Sequence, residues 1–167
     1  MEIYRYGAKV LRGSSQQVEK ISDELLELMD AMMETMILAP GIGLAAPQVG
    51  RDLRLFVMNV QENEFQKVLN PRILKTSGVT TFNEGCLSFP QLFADVVRPE
   101  WVRVEYLNEE GEIVVEEHDG LWARCFLHEV DHLEGKLFID YLSHKQLKLL
   151  KEALGEIESA GLRQNSS

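Results

Sequence analysis

The segment His128-Glu129-Val130-Asp131-His132 holds the residues best suited to chemistry. On a helix, positions i and i+4 share a face, so both imidazoles can reach one metal ion. Glu129 then projects beside them, where its carboxylate can take a proton from water activated by that ion. Two ligands do not hold a catalytic metal; a third protein donor and one open position are expected. The extended zinc-protease pattern asks for a third His at position 138, after Gly135, and the residue there is Phe138. That protease class is excluded at its own ligand. His118, His144 and downstream glutamates remain as donors. Cys125, three residues before His128, is opposed by geometry. From Cys125 to His132 is ~10.5 Å of helical rise, and bonds of ~2.0–2.3 Å cannot gather both ends around one ion. Cys125 therefore reads as a small buried residue behind the site. A donor from another element is needed, and Cys86, in Glu84-Gly85-Cys86-Leu87-Ser88, is the best placed, in a Gly-containing loop between strand signals.

The helix that must carry the two histidines is predicted from Gly120 to about Glu134. Leu121, Trp122, Phe126, Leu127, Val130 and Leu133 make it apolar on most sides, and Gly135 marks its end. An earlier helix starts at Ser22, with Asp23 and Glu24 in its first turn. Leu25, Leu28, Met29, Met32 and Met36 line it as core, until Pro40-Gly41. Between these helices lie strand signals at Leu53–Val60 and Val68–Leu74. Pro71 makes the second an edge or bulged strand. Trp101–Tyr106 alternates strictly, turns at Asn108–Gly111 and returns from Ile113. The glutamates crowding this hairpin read as a solvated face. A last helix begins at Ser143, with Gln146 completing a capping box and Leu147, Leu150, Leu154 and Ile157 on one side. The fold class is therefore α+β: mixed or antiparallel strands packed around a central metal-binding helix, with a C-terminal helix.

At 167 residues the chain suits one domain, 1–167, with 160–167 as a frayed tail. Hydrophobic residues at 45% and charged residues at 26% are ordinary globular values, which argue against disorder. A net charge of −10 opposes direct binding to a phosphate backbone. The longest apolar run, Met36–Pro47, is twelve residues broken by Pro40, Gly41 and Gly43, too short for a ~20-residue membrane span. Neither a signal-like start nor a disulfide framework is visible, since Cys86 and Cys125 are the only cysteines. A reducing, cytoplasmic setting is the expectation.

Three motifs stand in order: Gly41-Ile42-Gly43-Leu44-Ala45-Ala46-Pro47-Gln48, then Glu84-Gly85-Cys86-Leu87-Ser88, then His128-Glu129-Val130-Asp131-His132. Together they closely resemble the peptide deformylase family, metal hydrolases that remove the formyl group from the N-terminal methionine of new bacterial and organellar polypeptides. The resemblance runs from about Tyr6 to Tyr141, and the helix after Ser143 resembles the type-1 bacterial form. It implies that Cys86, His128 and His132 are the metal ligands and Glu129 the general base and acid. Gln48 and the backbone N–H of Leu87 would hold the formyl oxygen, and the loop around Ile42 and Gly43 would pair with the substrate backbone. An apolar methionine pocket is expected from Ile42, Phe82, Leu121 and Cys125. The implied cofactor is one divalent ion, Fe2+ in cells with Zn2+, Ni2+ or Co2+ as substitutes. The implied partners are N-formylmethionyl nascent polypeptides at the ribosome. Two positions depart from the family's commonest pattern: Leu127 stands where Gln usually precedes the first His, and Phe93 where several members place an Arg or Tyr that helps hold the peptide. The rival readings are a metallopeptidase, which the helix motif alone would support, and a metal-binding module without turnover.

Overall fold

A computed structural model describes residues 1–166. Helix α1 (Asp23–Leu38) starts where the cap requires: the Ser22 hydroxyl oxygen accepts the Leu25 N–H, and Asp23 and Glu24 occupy the positive end of the dipole. Its stripe of Leu25, Met29, Met32 and Met36 is buried. After it come β1 (Gly43–Ala45), a 3-10 turn over Ala46–Val49, β2 (Leu55–Met58) and β3 (Gln66–Ser77). Next are β4 (Thr80–Cys86), β5 (Phe89–Arg98), β6 (Trp101–Leu107) and β7 (Ile113–Asp119). Helix α2 (Gly120–Leu133), α3 (His144–Leu149) and α4 (Lys151–Gln164) complete the order. No helix among the described residues is long and apolar enough to cross a membrane.

Five strands form one antiparallel sheet in the order β1-β2-β3-β6-β7, while β4 and β5 make a separate two-stranded hairpin. Helix α2 packs on the sheet, where Trp122, Phe126, Val130 and Leu133 meet Phe56, Met58, Val68, Val102 and Val104. Gly135 takes φ +73° just beyond its end, as a helix terminator does. Helix α1 covers a neighbouring cluster with Leu44, Leu55, Val57 and Leu69. A third cluster joins the hairpin's inner face, through Phe89, Leu92 and Val96, to the N-terminal segment and the last helices.

Of the two readings that Pro71 left for the second strand, bulged holds and edge does not, since β3 lies between β2 and β6; the structure corrects the sequence reading in three other places. Pro71 is tolerated because the register slips between Leu69 and Arg72. Asn70, at φ +50°, fits the slip because its side-chain amide bonds both the N–H and the C=O of Val18. Cys86 ends β4 rather than sitting in a loop. The helix from Ser143 divides at Leu150, whose ψ of 0° breaks the helical run. The segment expected to fray is tied down as far as Asn165. Gln164 Oε1 accepts the Arg5 N–H at 2.7 Å, and Asn165 Oδ1 accepts the Lys9 N–H at 2.8 Å. Asn165 also donates to the Gly7 carbonyl. Ser167 lies outside the described residues.

Gly161 is buried where α4 crosses the N-terminal segment, and a Cβ there would overlap the backbone carbonyls of Tyr6 and Arg5. Gly155, on the same helix, has nothing within 4 Å of that position. Gly161→Ala should therefore lower the melting temperature by several degrees. Gly155→Ala should raise stability by about 1 kcal/mol, the helical preference for Ala. Calorimetry of both variants checks the contrast, which a loosely attached α4 would abolish.

Candidate metal centre

Helix α2 carries His128, Glu129 and His132 into the interior, all three buried. The β4–β5 turn brings Cys86 to meet them. Cys86 pairs with Phe89 across the hairpin, with Leu87 and Ser88 at its tip. Cys86 Sγ lies 3.3 Å from His132 Nε2. One ligand atom from each of Cys86, His128 and His132 falls within 4.8 Å of the others. Tetrahedral donors around one ion sit about 3.3–3.8 Å apart, given bonds of ~2.0–2.3 Å, so the group needs little adjustment to hold one. His118 and His144 are elsewhere: His118 stacks on Trp122 beside Glu116, and His144 begins α3 on the surface. Cys125 is buried, its thiol directed to the Ile42 carbonyl.

A buried carboxylate fixes the first imidazole. His128 Nδ1 lies 2.8 Å from Glu84 Oε1; a carboxylate can only accept, so Nδ1 carries a proton and Nε2 is the nitrogen left for the donor group, where a cation would take the place of its proton. Arg98 grips Glu84 through two bonds of 2.6 and 3.1 Å, and Arg124 adds a third at 2.5 Å. Arg98 also donates to Asp131, which accepts the Tyr141 hydroxyl, and the Tyr141 ring lies 4.9 Å from the guanidinium carbon. Burial alone would raise the Glu84 pKa; the His128 and Arg98 bonds override it and hold Glu84 at about 2. Burial would likewise lower His128, yet its bonds to Cys86 and Glu84 bring it up to about 10. The donor set thus attracts positive charge, the property a divalent cation needs, and its soft thiol and imidazoles suit Zn2+ or Fe2+.

Beside the donors stands Glu129, whose Oε2 is buried without a partner among the described residues. Burial pushes its carboxyl up to about 7. Gly43 on β1 makes room for it: a Cβ at that position would lie 2.5 Å from Glu129 Oε1 and 3.0 Å from Cys125 Sγ. Gln48, buried in the 3-10 turn, accepts the Ala45 N–H at 2.9 Å through Oε1. Its Nε2 must then face Ser88 Oγ at 3.1 Å and Cys86 Sγ at 3.5 Å. The Leu87 side chain packs against Gly41, where a Cβ would come within 2.8 Å of it, and this sets the hairpin tip against the glycine motif.

The cleft of about 1440 Å3 onto which these groups open is also lined by Ile42, Phe82, Leu121 and Cys125, which the sequence reading assigned to an apolar pocket. His132 is not part of its wall and stands behind Cys86. Phe93 is an exposed residue of the lining, its ring against Gly85, where a Cβ would be 2.5 Å from Cε1. Leu127 packs against the core cluster of α2 and the sheet.

Sequence reasoning missed Ser88, Arg98, Arg124 and Tyr141. Arg98 had a signal: it ends the alternation Leu92, Ala94, Val96, Arg98, so a charge falls on the buried phase. Ser88, which bonds both Gln48 and the Tyr4 carbonyl, had none.

An α+β fold that sets one thiol, one imidazole and a buried carboxylate in the wall of a cleft, with a second imidazole behind the thiol, defines a metal-dependent hydrolase. The family model described as polypeptide deformylase matches residues 1–148. Peptide deformylase 1 of Clostridium acetobutylicum is 49% identical over 144 residues, covering 86% of this chain and 95% of that protein. The Phenylobacterium zucineum peptide deformylase is 51% identical over 138 residues, covering 80% and 82%. The crystal structure of peptide deformylase from Thermus thermophilus superposes with a TM-score of 0.90 at 39% identity, covering 96% of this chain and 98% of that one. The chain belongs to the polypeptide deformylase family, the enzymes that remove the N-formyl group from nascent polypeptides.

Glu84→Gln should cost about 3–5 kcal/mol, because Arg98 and Arg124 would be left buried against a neutral amide. It should also weaken metal binding by about 10–100-fold through the loss of imidazole orientation. Denaturant melts and metal titration measure the two effects separately. Gly43→Ala should leave the metal content unchanged and cut turnover by at least tenfold, since the added methyl displaces the Glu129 carboxylate; kinetics at full metal loading check it.

Proposed function

We propose that this chain hydrolyses the formamide of N-formylmethionyl polypeptides, with Cys86, His128 and His132 holding one divalent ion and Glu129 moving the proton. The observation that carries this reading is the donor group of Cys86, His128 and His132, with the unpartnered Glu129 Oε2 at its side. A bound ion supplies Lewis acidity, which lowers the pKa of water towards ~7 and polarises a carbonyl. Fe2+ is the proposed ion in cells, with Zn2+, Ni2+ or Co2+ able to replace it.

The substrate backbone adds to the outer edge of β1, which ends the sheet order. That register carries the formyl group past Gly43 to the donors. The methionine side chain enters the surface formed by Ile42, Phe82, Leu121 and Cys125, and apolar burial binds it. Gln48 is oriented before the substrate arrives: with Oε1 occupied by Ala45, its Nε2 is the group offered to the formyl oxygen. The Leu87 N–H is the second donor. A preorganised donor of this kind is worth about 3 kcal/mol to an oxyanion. Glu129, with a pKa of about 7, takes the proton of the attacking water on its carboxylate. It then passes that proton to the amine nitrogen as the C–N bond breaks, releasing formate. An acetyl group carries a methyl where formyl carries hydrogen, and crowding between Gly43 and Glu129 excludes it.

The proposed setting is the bacterial-type cytoplasm, on chains emerging from the ribosome. Anaerobic purification with iron and an assay of formate from formyl-Met-Ala-Ser should show turnover; absence of formate in a fully loaded sample would refute the reading. Glu129→Ala should keep the metal and lose turnover by orders of magnitude. Cys86→Ser should lose metal occupancy, and its retention would point to another third donor.

A further inference from the structure

At about 1440 Å3 the cleft is larger than a formylmethionine requires, since small-ligand pockets commonly run to ~300–1,000 Å3. One part of it, the outer arm, is walled by the N-terminal segment and α4. The charged side chains of that arm are Glu2, Arg5 and Arg163. Glu2 is engaged, its carboxylate accepting a hydrogen bond from Gln164 Nε2 at 3.0 Å. The two guanidiniums are exposed, and neither bonds a carboxylate or carbonyl among the described residues. Both line the same arm, and the Arg5 backbone is tied to α4 beside Arg163, its N–H bonded to Gln164 Oε1. The other arginine of the cleft, Arg124, is consumed by Glu84. A chain of net charge −10 thus presents a locally cationic edge along the outer arm of the cleft.

We infer that Arg5 and Arg163 select acidic side chains among the third to sixth residues of the substrate polypeptide. This deepens the proposed deformylation and rests on it. Only the first residue needs to reach the donors; the later residues lie along the arm, and guanidinium meets carboxylate in a two-pronged geometry that lysine or alanine cannot match. Both arginines face water, so the preference is modest and salt-sensitive.

The test uses the metal-loaded enzyme and C-terminally amidated formyl-Met-Ala peptides of six residues, carrying one Asp, Ala or Lys at positions three to six. At low ionic strength, Asp at one or more of these positions should raise kcat/KM by about 3–10-fold over Lys, mainly through KM, and 0.5 M salt should erase most of the difference. Arg163→Glu and Arg5→Glu should each shrink or invert the preference, and the milder pair Arg5→Gln with Arg163→Gln should abolish it. Lys75→Glu, an exposed strand position outside the cleft with the same change in net charge, should preserve it. Equal rates for Asp and Lys at every position, or a preference that survives the arginine changes, would overturn the inference. Turnover of formyl-Met-Ala-Ser separates this failure from that of the function itself: an enzyme active on it but blind to charge loses only the arm, and an inactive one loses both.

Discussion

Glu84 is a carboxylate with almost no access to water, and everything around the donors is arranged to keep it charged. A buried ion alone is costly; held by Arg98, Arg124 and the His128 ring, it becomes a fixed point. The fixed point has direction. One oxygen sets the tautomer of His128 and the other engages both guanidiniums, so ring orientation and strand position are set together. Asp131 and Tyr141 extend the arrangement to the far side of Arg98, joining β4, β5 and α2 without a covalent link.

Beside this charged frame, the site is made close by what its glycines lack. Gly43 admits the Glu129 carboxylate, Gly41 admits the Leu87 side chain, and Gly85 admits the Phe93 ring. Each approach brings one element against another at a distance no Cβ would allow. Gln48 obeys the same logic with hydrogen bonds: one end of its amide is fixed by Ala45, which leaves the other end a single orientation. Preorganisation of this kind spares the entropy that a mobile side chain would lose on binding any ligand.

Much of this was legible in the chain. The spacing of His128 and His132 gave one helix face, and the rise per residue removed Cys125 as a donor, because both are local geometry. The helix boundaries at Ser22 and Gly135 came from caps. What local geometry does not encode is partnership. Asn70 lies within a strand signal, and nothing local says that Val18 satisfies its side chain; Pro71 allows an edge or a bulge, and only the register slip decides between them. The β4–β5 hairpin escaped notice because Asn83, Glu84 and Gly85 dilute its pattern with polar and small residues. Gln164 and Asn165 look like tail residues until their side chains are found on the N-terminal backbone. Phe93, read only as a departure from a family pattern, turns out to cover Gly85.

The three donors do not share one hydrophobic cluster. His128 and His132 ride on the helix that packs against the main sheet, whereas Cys86 packs with the cluster of Phe89 and Leu92. The candidate site therefore lies on a seam between two hydrophobic clusters. Their relative seating sets how far Cys86 Sγ stands from the two imidazoles. Apolar repacking in either cluster would change that spacing while Cys86, His128 and His132 stay as they are.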